Sequence, residues 1–305
     1  MKRSIVFIIA TLLFGAVASA QSQKVIEKDF EKFSTVKVED KFSVRLVSSD
    51  KYAVRINVDD RIAAHVQAYE KNGTLYLILD EKGYTKELKK QLKQKGAIEP
   101  TVEVEVYMPE IKSLILTDKA YLVHSDAIMS ENFTLTASDN AKIKHLNITC
   151  ATADIDLSKN VEFAAEMKVS SKLYLTAKNS VKASLWQSGG NTMLDLSNSA
   201  YVDMKAEVQT IEINVSSGAE SHVAGTASML MVNATGLSRT DTELLDTKDA
   251  EIVMNSSSKC HVNVTDKIKV NLTGGAMLTF KRNPMIEVDR ILNSSLLKAD
   301  DPRRK

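Results

Sequence analysis

Asp154, Asp156, Asp195 and Glu212 are the acidic side chains whose spacing comes nearest to chemistry in this 305-residue chain. Asp154 and Asp156 sit two apart. Asp195 follows Asp156, and Glu212 follows Asp154, at close to two and three times a period of 19 or 20 residues. If the chain winds with that period, the four carboxylates share one surface and form a candidate Ca²⁺ site, an ion that takes roughly six to eight oxygen ligands. Carboxylate pairs at such separations also fit glycoside cleavage on distance alone. The same period lines up Asn214, Asn233, Asn255 and Asn271 with Asp156 and Asp195. Stacked amides hydrogen-bond along such a line. The strip therefore reads either as a regular polar surface matched to a repetitive ligand such as a glycan, or as a ladder that satisfies its own side chains.

Other chemistry finds little support. His65, His124, His145, His222 and His261 show no zinc-ligand spacing along the chain. No Gly-x-Ser-x-Gly elbow is present. Gly189-Gly190 and Gly274-Gly275 fall at turns, and the single Trp186 is read as packing at a corner rather than stacking a sugar. No catalytic residue and no cofactor is expected, with Ca²⁺ the one candidate ion.

The elements that must position these residues are a repeat. A small residue after a polar turn, here called the slot, recurs at Ala120, Ala141, Val161, Val181, Ala200, Ala219, Ser238, Cys260 and Ala276, at spacings of 16 to 22. Six residues before each slot stands an apolar residue, from Leu114 to Val270. Three residues before it stands a Ser or Thr in all copies but Lys178. Alternate apolar positions put one face of a strand inward, and the hydroxyl followed by Asp, Asn, Ser, Lys or Gly turns the chain. A unit of this length cannot bury its own apolar face, so the copies must stack. The expected fold is an all-β, parallel β-helix of about nine coils, with neighbouring coils ~4.8 Å apart. In that frame Cys150 and Cys260 lie roughly 25 Å apart, beyond the ~7 Å Cα reach of a disulfide. Both are read as small, unpaired, inward-facing residues.

Around the repeat, residues 1–20 read as a signal peptide. Lys2 and Arg3 precede an apolar run from Ile5 to Val17 and an Ala18-Ser-Ala20 cleavage site. That implies export to the periplasm or the cell surface, and no later stretch is long enough to span a bilayer. Removing those residues leaves 38 basic against 39 acidic residues, a balance that gives no reason to expect nucleic acid. Residues 21–110 read as a β-rich entry segment covering the open N-terminal end. It contains a hairpin-like turn at Ser48-Ser-Asp50, an Asn72-Gly73 hairpin between Val66–Tyr69 and Leu75–Leu79, and one short lysine-rich helix between Tyr84 and Gly96. Residues 111–283 form the solenoid. Residues 284–305 supply one more strand and a frayed tail from Asn293 onward.

Phe33-Ser-Thr-Val-Lys-Val-Glu-Asp-Lys-Phe-Ser-Val44, Asn72-Gly-Thr-Leu-Tyr-Leu77 and Val106-Tyr-Met-Pro-Glu-Ile-Lys-Ser-Leu114 occur in that order, followed by Leu-x-Leu-x-x-Ser-x-x-Ala units and a late Asn283-Pro284. In this the chain resembles the putative auto-transporter adhesin head GIN domain family of exported proteins from Bacteroides-like bacteria. The resemblance implies a right-handed β-helix and an adhesin-like role, and supplies no catalytic set. Two positions depart from it. Asp118-Lys119 stands where small residues are usual, and Arg282 stands where a glycine precedes Asn-Pro. The expected function is an exported, non-enzymatic module binding a glycan or cell-surface protein. The alternatives are a lyase-like polysaccharide-cleaving enzyme on the same fold and a structural or envelope-stress protein of the periplasm.

Overall fold

Seven of the nine slot corners are four-residue turns with two successive residues in left-handed backbone, and the corners at Gly236 and Ser256 have one. Asp118 and Lys119, Asp139 and Asn140, Asn198 and Ser199 all have φ between 53° and 72°. The slot amide closes the turn by donating back three residues, as from Ala120 to Thr117 O (3.0 Å) and from Ala219 to Ser216 O (3.0 Å). Two central residues at positive φ with this bond define a type I′ turn. Asn, Asp and Ser tolerate that backbone because their short side chains bond locally, and Gly because it lacks a Cβ. Asp118-Lys119 follows the same geometry. Arg282, where the resemblance implies glycine, has φ 67°, and its guanidinium is held by Asp246 at 2.5 Å. These residues explain both departures.

The computed structural model describes residues 22–299, so the expected signal peptide at residues 1–20 lies outside the described residues. The chain is 68% strand and 5% helix, a β-solenoid of about ten turns. Parallel pairing stacks the inward residues coil by coil: Ile155, Leu175, Leu194, Ile213, Val232, Ile252 and Val270 follow one another in register. All are buried in one core that runs from Phe33 to Phe280.

One slot moves. Slot carbonyls form an unbroken ladder in which Lys259 N donates to Ser238 O and Met277 N donates to Ser258 O, each at 3.0 Å. The slot of that coil is therefore Ser258, not Cys260. Ser256, at φ 61°, fixes the turn at 255–258 within a run of small residues that left its register open in the sequence. The inward residue is then Ile252 rather than Met254 for that column.

Strands of the entry segment are themselves rungs of the solenoid. Thr35–Val38 lies between Thr74–Leu79 and Ser113–Leu116, and Phe42–Ser48 lies between Val102–Met108 and Tyr121–Ser125, all in parallel. The stacking order thus differs from the chain order. The Ser48-Ser-Asp50 turn joins strands that do not pair, because Val102–Met108 is inserted between Phe42–Ser48 and Ala53–Asp59. Antiparallel strands close that end: Val66–Lys71 on Thr74–Leu79 through Asn72-Gly73, Ala53–Asp59 on Val102–Met108, and Gln23–Asp29 outermost. They cover strand edges that would otherwise invite edge-to-edge pairing. The lysine-rich helix spans Lys86–Leu92 at the corner between two rungs. Thr85 caps it by accepting from Leu88 N (3.2 Å), and Leu88 is its buried residue.

At the other end the tail does not fray at Asn293. Met285–Leu292 pairs with Lys259–Thr273, and Ser295–Lys298 pairs with Met277–Lys281, forming a last coil. Residues 300–305 lie outside the described residues.

Cys150 and Cys260 are free and buried. Burial pushes the Cys150 thiol up to about 11. It raises Cys260 as well, with the charge of Asp241 adding to it. Because the thiolate is the reactive form, neither should react with a disulfide reagent at pH 8 in the native protein. Both should react in strong denaturant, which a timed thiol titration checks.

Candidate functional site

The broad sheet that carries the acids and amides presents three outward columns. The column through the predicted strip reads Thr136, Asp156, Thr176, Asp195, Asn214, Asn233, Val253, Asn271 and Arg290. Val253 takes the place expected for Asn255. The shift of the slot to Ser258 moves Asn255 into the corner, where its side-chain Oδ1 accepts from Ser256 N (2.5 Å). The ladder of bonded amides is correspondingly short. Asn233 Nδ2 donates to Asn214 Oδ1 (2.8 Å), and Asn214 Nδ2 donates to Glu212 Oε1 (3.2 Å). Asn271 lies beyond Val253, between it and Arg290.

The structure does not gather the candidate Ca²⁺ set. Asp154 and Glu212 share a column, but Tyr174 and Met193 occupy the two coils between them. Asp156 and Asp195 are separated by Thr176. Tyr174 is further covered by Lys172, whose ammonium sits 4.1 Å from the ring centroid. A strip that alternates Tyr, Met, Thr and acid offers no single point for six oxygens.

The opposite sheet holds a second feature, built on tyrosines and lysines outside the acidic and amide strip. Tyr121, Lys142, Glu162, Lys182 and Tyr201 stack on five successive coils, each one residue past its slot. Two residues further on lie Lys144, Ala164, Ser184 and Asp203. The small side chains Ala164 and Ser184 leave a trough of about 490 Å³ between the tyrosines, open along its length. Four coil steps put the two rings roughly 19 Å apart. Lys142 and Glu162, neighbours on successive coils, pair along it at 3.0 Å, both well exposed, so the pair contributes little to stability and remains available to a ligand. Trp186 points outward beside this trough, half-buried between Glu166 and Lys205, rather than packing at a corner. Tyr121 also lines a second depression of about 520 Å³ with Arg45, Arg55, Glu103 and Glu105, which extends the concave surface toward the N-terminal end. The signal for the trough was present in the sequence as the residue after each slot, aromatic at both ends and charged between.

The arrangement can bind a ligand along several coils. Lysines, carboxylates and tyrosine hydroxyls supply hydrogen bonds. Tyrosine faces supply apolar contact at low conformational cost.

Comparison with known proteins agrees with this architecture. Of solved structures, a protein described as a putative adhesin from Parabacteroides distasonis ATCC 8503 has a TM-score of 0.53 at 13% identity, covering 91% of this chain and 97% of that one. Another, described as a putative adhesin from Parabacteroides merdae ATCC 43184, has a TM-score of 0.44 at 12% identity, covering 92% and 97%. The first of these supports the shared fold. A comparison with curated proteins finds no match. No helix among the described residues is long and apolar enough to cross a membrane. A family model described as "putative auto-transporter adhesin, head GIN domain" matches residues 32–171 and 167–284, most of the chain, and the protein belongs to that family.

Proposed function

We propose that the protein is an exported, non-enzymatic adhesin-like module that binds an extended glycan or cell-surface partner. The observation that carries this reading is the trough between Tyr121 and Tyr201. It runs over five coils and is open to solvent, which suits a chain-like ligand lying across several coils better than a small molecule. The description of the family supports an adhesive role. The signal-like residues 1–20 support export.

The test is a glycan and host-matrix array probed with the mature protein, alongside fractionation of the cells that make it. Binding should fall at least tenfold for Tyr201→Ala and for Lys182→Ala, with the melting temperature unchanged because both residues stand on the surface. If Asn214→Ala abolishes binding and Tyr201→Ala does not, the polar strip is the binding surface instead. Retention in the cytoplasm, or release of reducing or unsaturated ends from a bound polysaccharide, would overturn the reading.

A further inference from the structure

Three residues past each slot, the outward column that borders the trough at Asp203 continues away from it through His222, Asp241, His261 and Thr279 on successive coils. Acid and imidazole alternate down it. Glu243 stands two residues after Asp241, between the buried Thr242 and Leu245, and so faces the same way. One ligand atom each of Asp241, Glu243 and His261 lies within 4.8 Å of the other two. An ion placed among three such atoms is within about 2.8 Å of each, and small side-chain rotations close that to the ~2.0–2.2 Å bonds of Zn²⁺.

The surrounding chain holds this group in place. Thr242 Oγ1, fully buried, donates to His261 O (2.9 Å) and ties the histidine's strand to the strand carrying both acids. Glu243 N donates to Asp241 Oδ1 (3.1 Å) and orients that carboxylate. Pairing register breaks on both sides of the acids, between His222 and Gly225 on one coil and between Thr242 and Thr247 on the next. Irregularities of this kind re-aim side chains and are frequent beside functional sites. One cation is already drawn to the group: the Lys281 ammonium is ion-paired with Glu243.

We propose that Asp241, Glu243 and His261 form a binding site for a first-row divalent transition ion, with Zn²⁺ the best match. Imidazole nitrogen with two carboxylates is a donor set for Zn²⁺ and its neighbours rather than for Ca²⁺, which needs more oxygens than these residues supply. Three protein ligands leave a further coordination position open on the exposed face. Lys281 competes for Glu243, so the ion displaces it on binding. The site stands whether or not the trough binds a glycan, since none of its residues lines the trough.

The experiment is titration of tag-free mature protein with ZnCl₂ by calorimetry, repeated with Co²⁺ followed by visible absorption. One equivalent should bind. Affinity should fall at least tenfold in His261→Gln and Asp241→Asn, and rise in Lys281→Ala, with each variant's melting temperature checked for folding. The proposal is overturned if no ion binds to either the native chain or Lys281→Ala. It is equally overturned if His261→Gln binds as tightly as the native chain. Loss of binding in His124→Ala alone would assign the ion to His124 and His145, whose rings stack 5.1 Å apart.

Discussion

Gly225→Ala should lower the melting temperature by about 10 °C, the largest effect expected of any single methyl group in this protein. Gly225 pairs with Ala206 on the neighbouring coil and has φ 117°, a backbone conformation that L side chains rarely adopt. A Cβ there would lie 2.0 Å from the Ala206 carbonyl oxygen and 3.0 Å from its carbon. Both contacts are with backbone, so no rotamer change relieves them, and the two coils must part. Strain of this kind costs roughly 1–3 kcal/mol, and the lost pairing adds to it. Gly73→Ala is the control. Gly73 also has positive φ, 76°, but a Cβ there meets nothing within 4 Å, so only the turn preference is lost, about 1 kcal/mol. Equal melting temperatures for the two variants would show that close approach of the coils at Gly225 is not what requires glycine.

Ala200→Phe should be the next most damaging change, at about 1–3 kcal/mol or more. Ala200 fills a slot and is 1% exposed. Its own carbonyl accepts from Glu220 N, and Tyr201 N donates to Val181 O, each at 2.8 Å, so the backbone on either side is fixed to the adjacent coils. A phenyl ring at this corner has no space except by displacing Val181 or Ala219. Ala200→Val should be nearly neutral, because Val161 and Val181 occupy the same position on other coils. Thermal melts of the two variants decide the point. A phenylalanine variant as stable as the native chain would place the slot outside the core.

Much of the solenoid was legible because its local and global signals agree. Apolar alternation, the polar turn and the small slot all repeat along the chain, and the backbone hydrogen bonds stack those same positions. The error at Cys260 shows the limit. Ser256-Ser-Ser-Lys-Cys260 holds several residues small enough for a slot, and only the neighbouring coil's carbonyls select Ser258. That two-residue shift removed Asn255 from the polar strip, put Val253 in its place and brought His261 into line with Asp241. With Ser258 as the slot of its coil, the column three residues past the slot alternates Asp and His from coil to coil.

The sequence by itself determined the fold class, the position of most inward residues and the unpaired state of both cysteines. Each follows from a period that local residues repeat. Tertiary structure decided the stacking order at the N-terminal end, where Thr35–Ser48 is inserted between rungs that come later in the chain. It also decided which charged residues meet. Both depend on pairing between strands far apart in sequence, and a shift of two residues there keeps every side chain on its face while changing all of its neighbours.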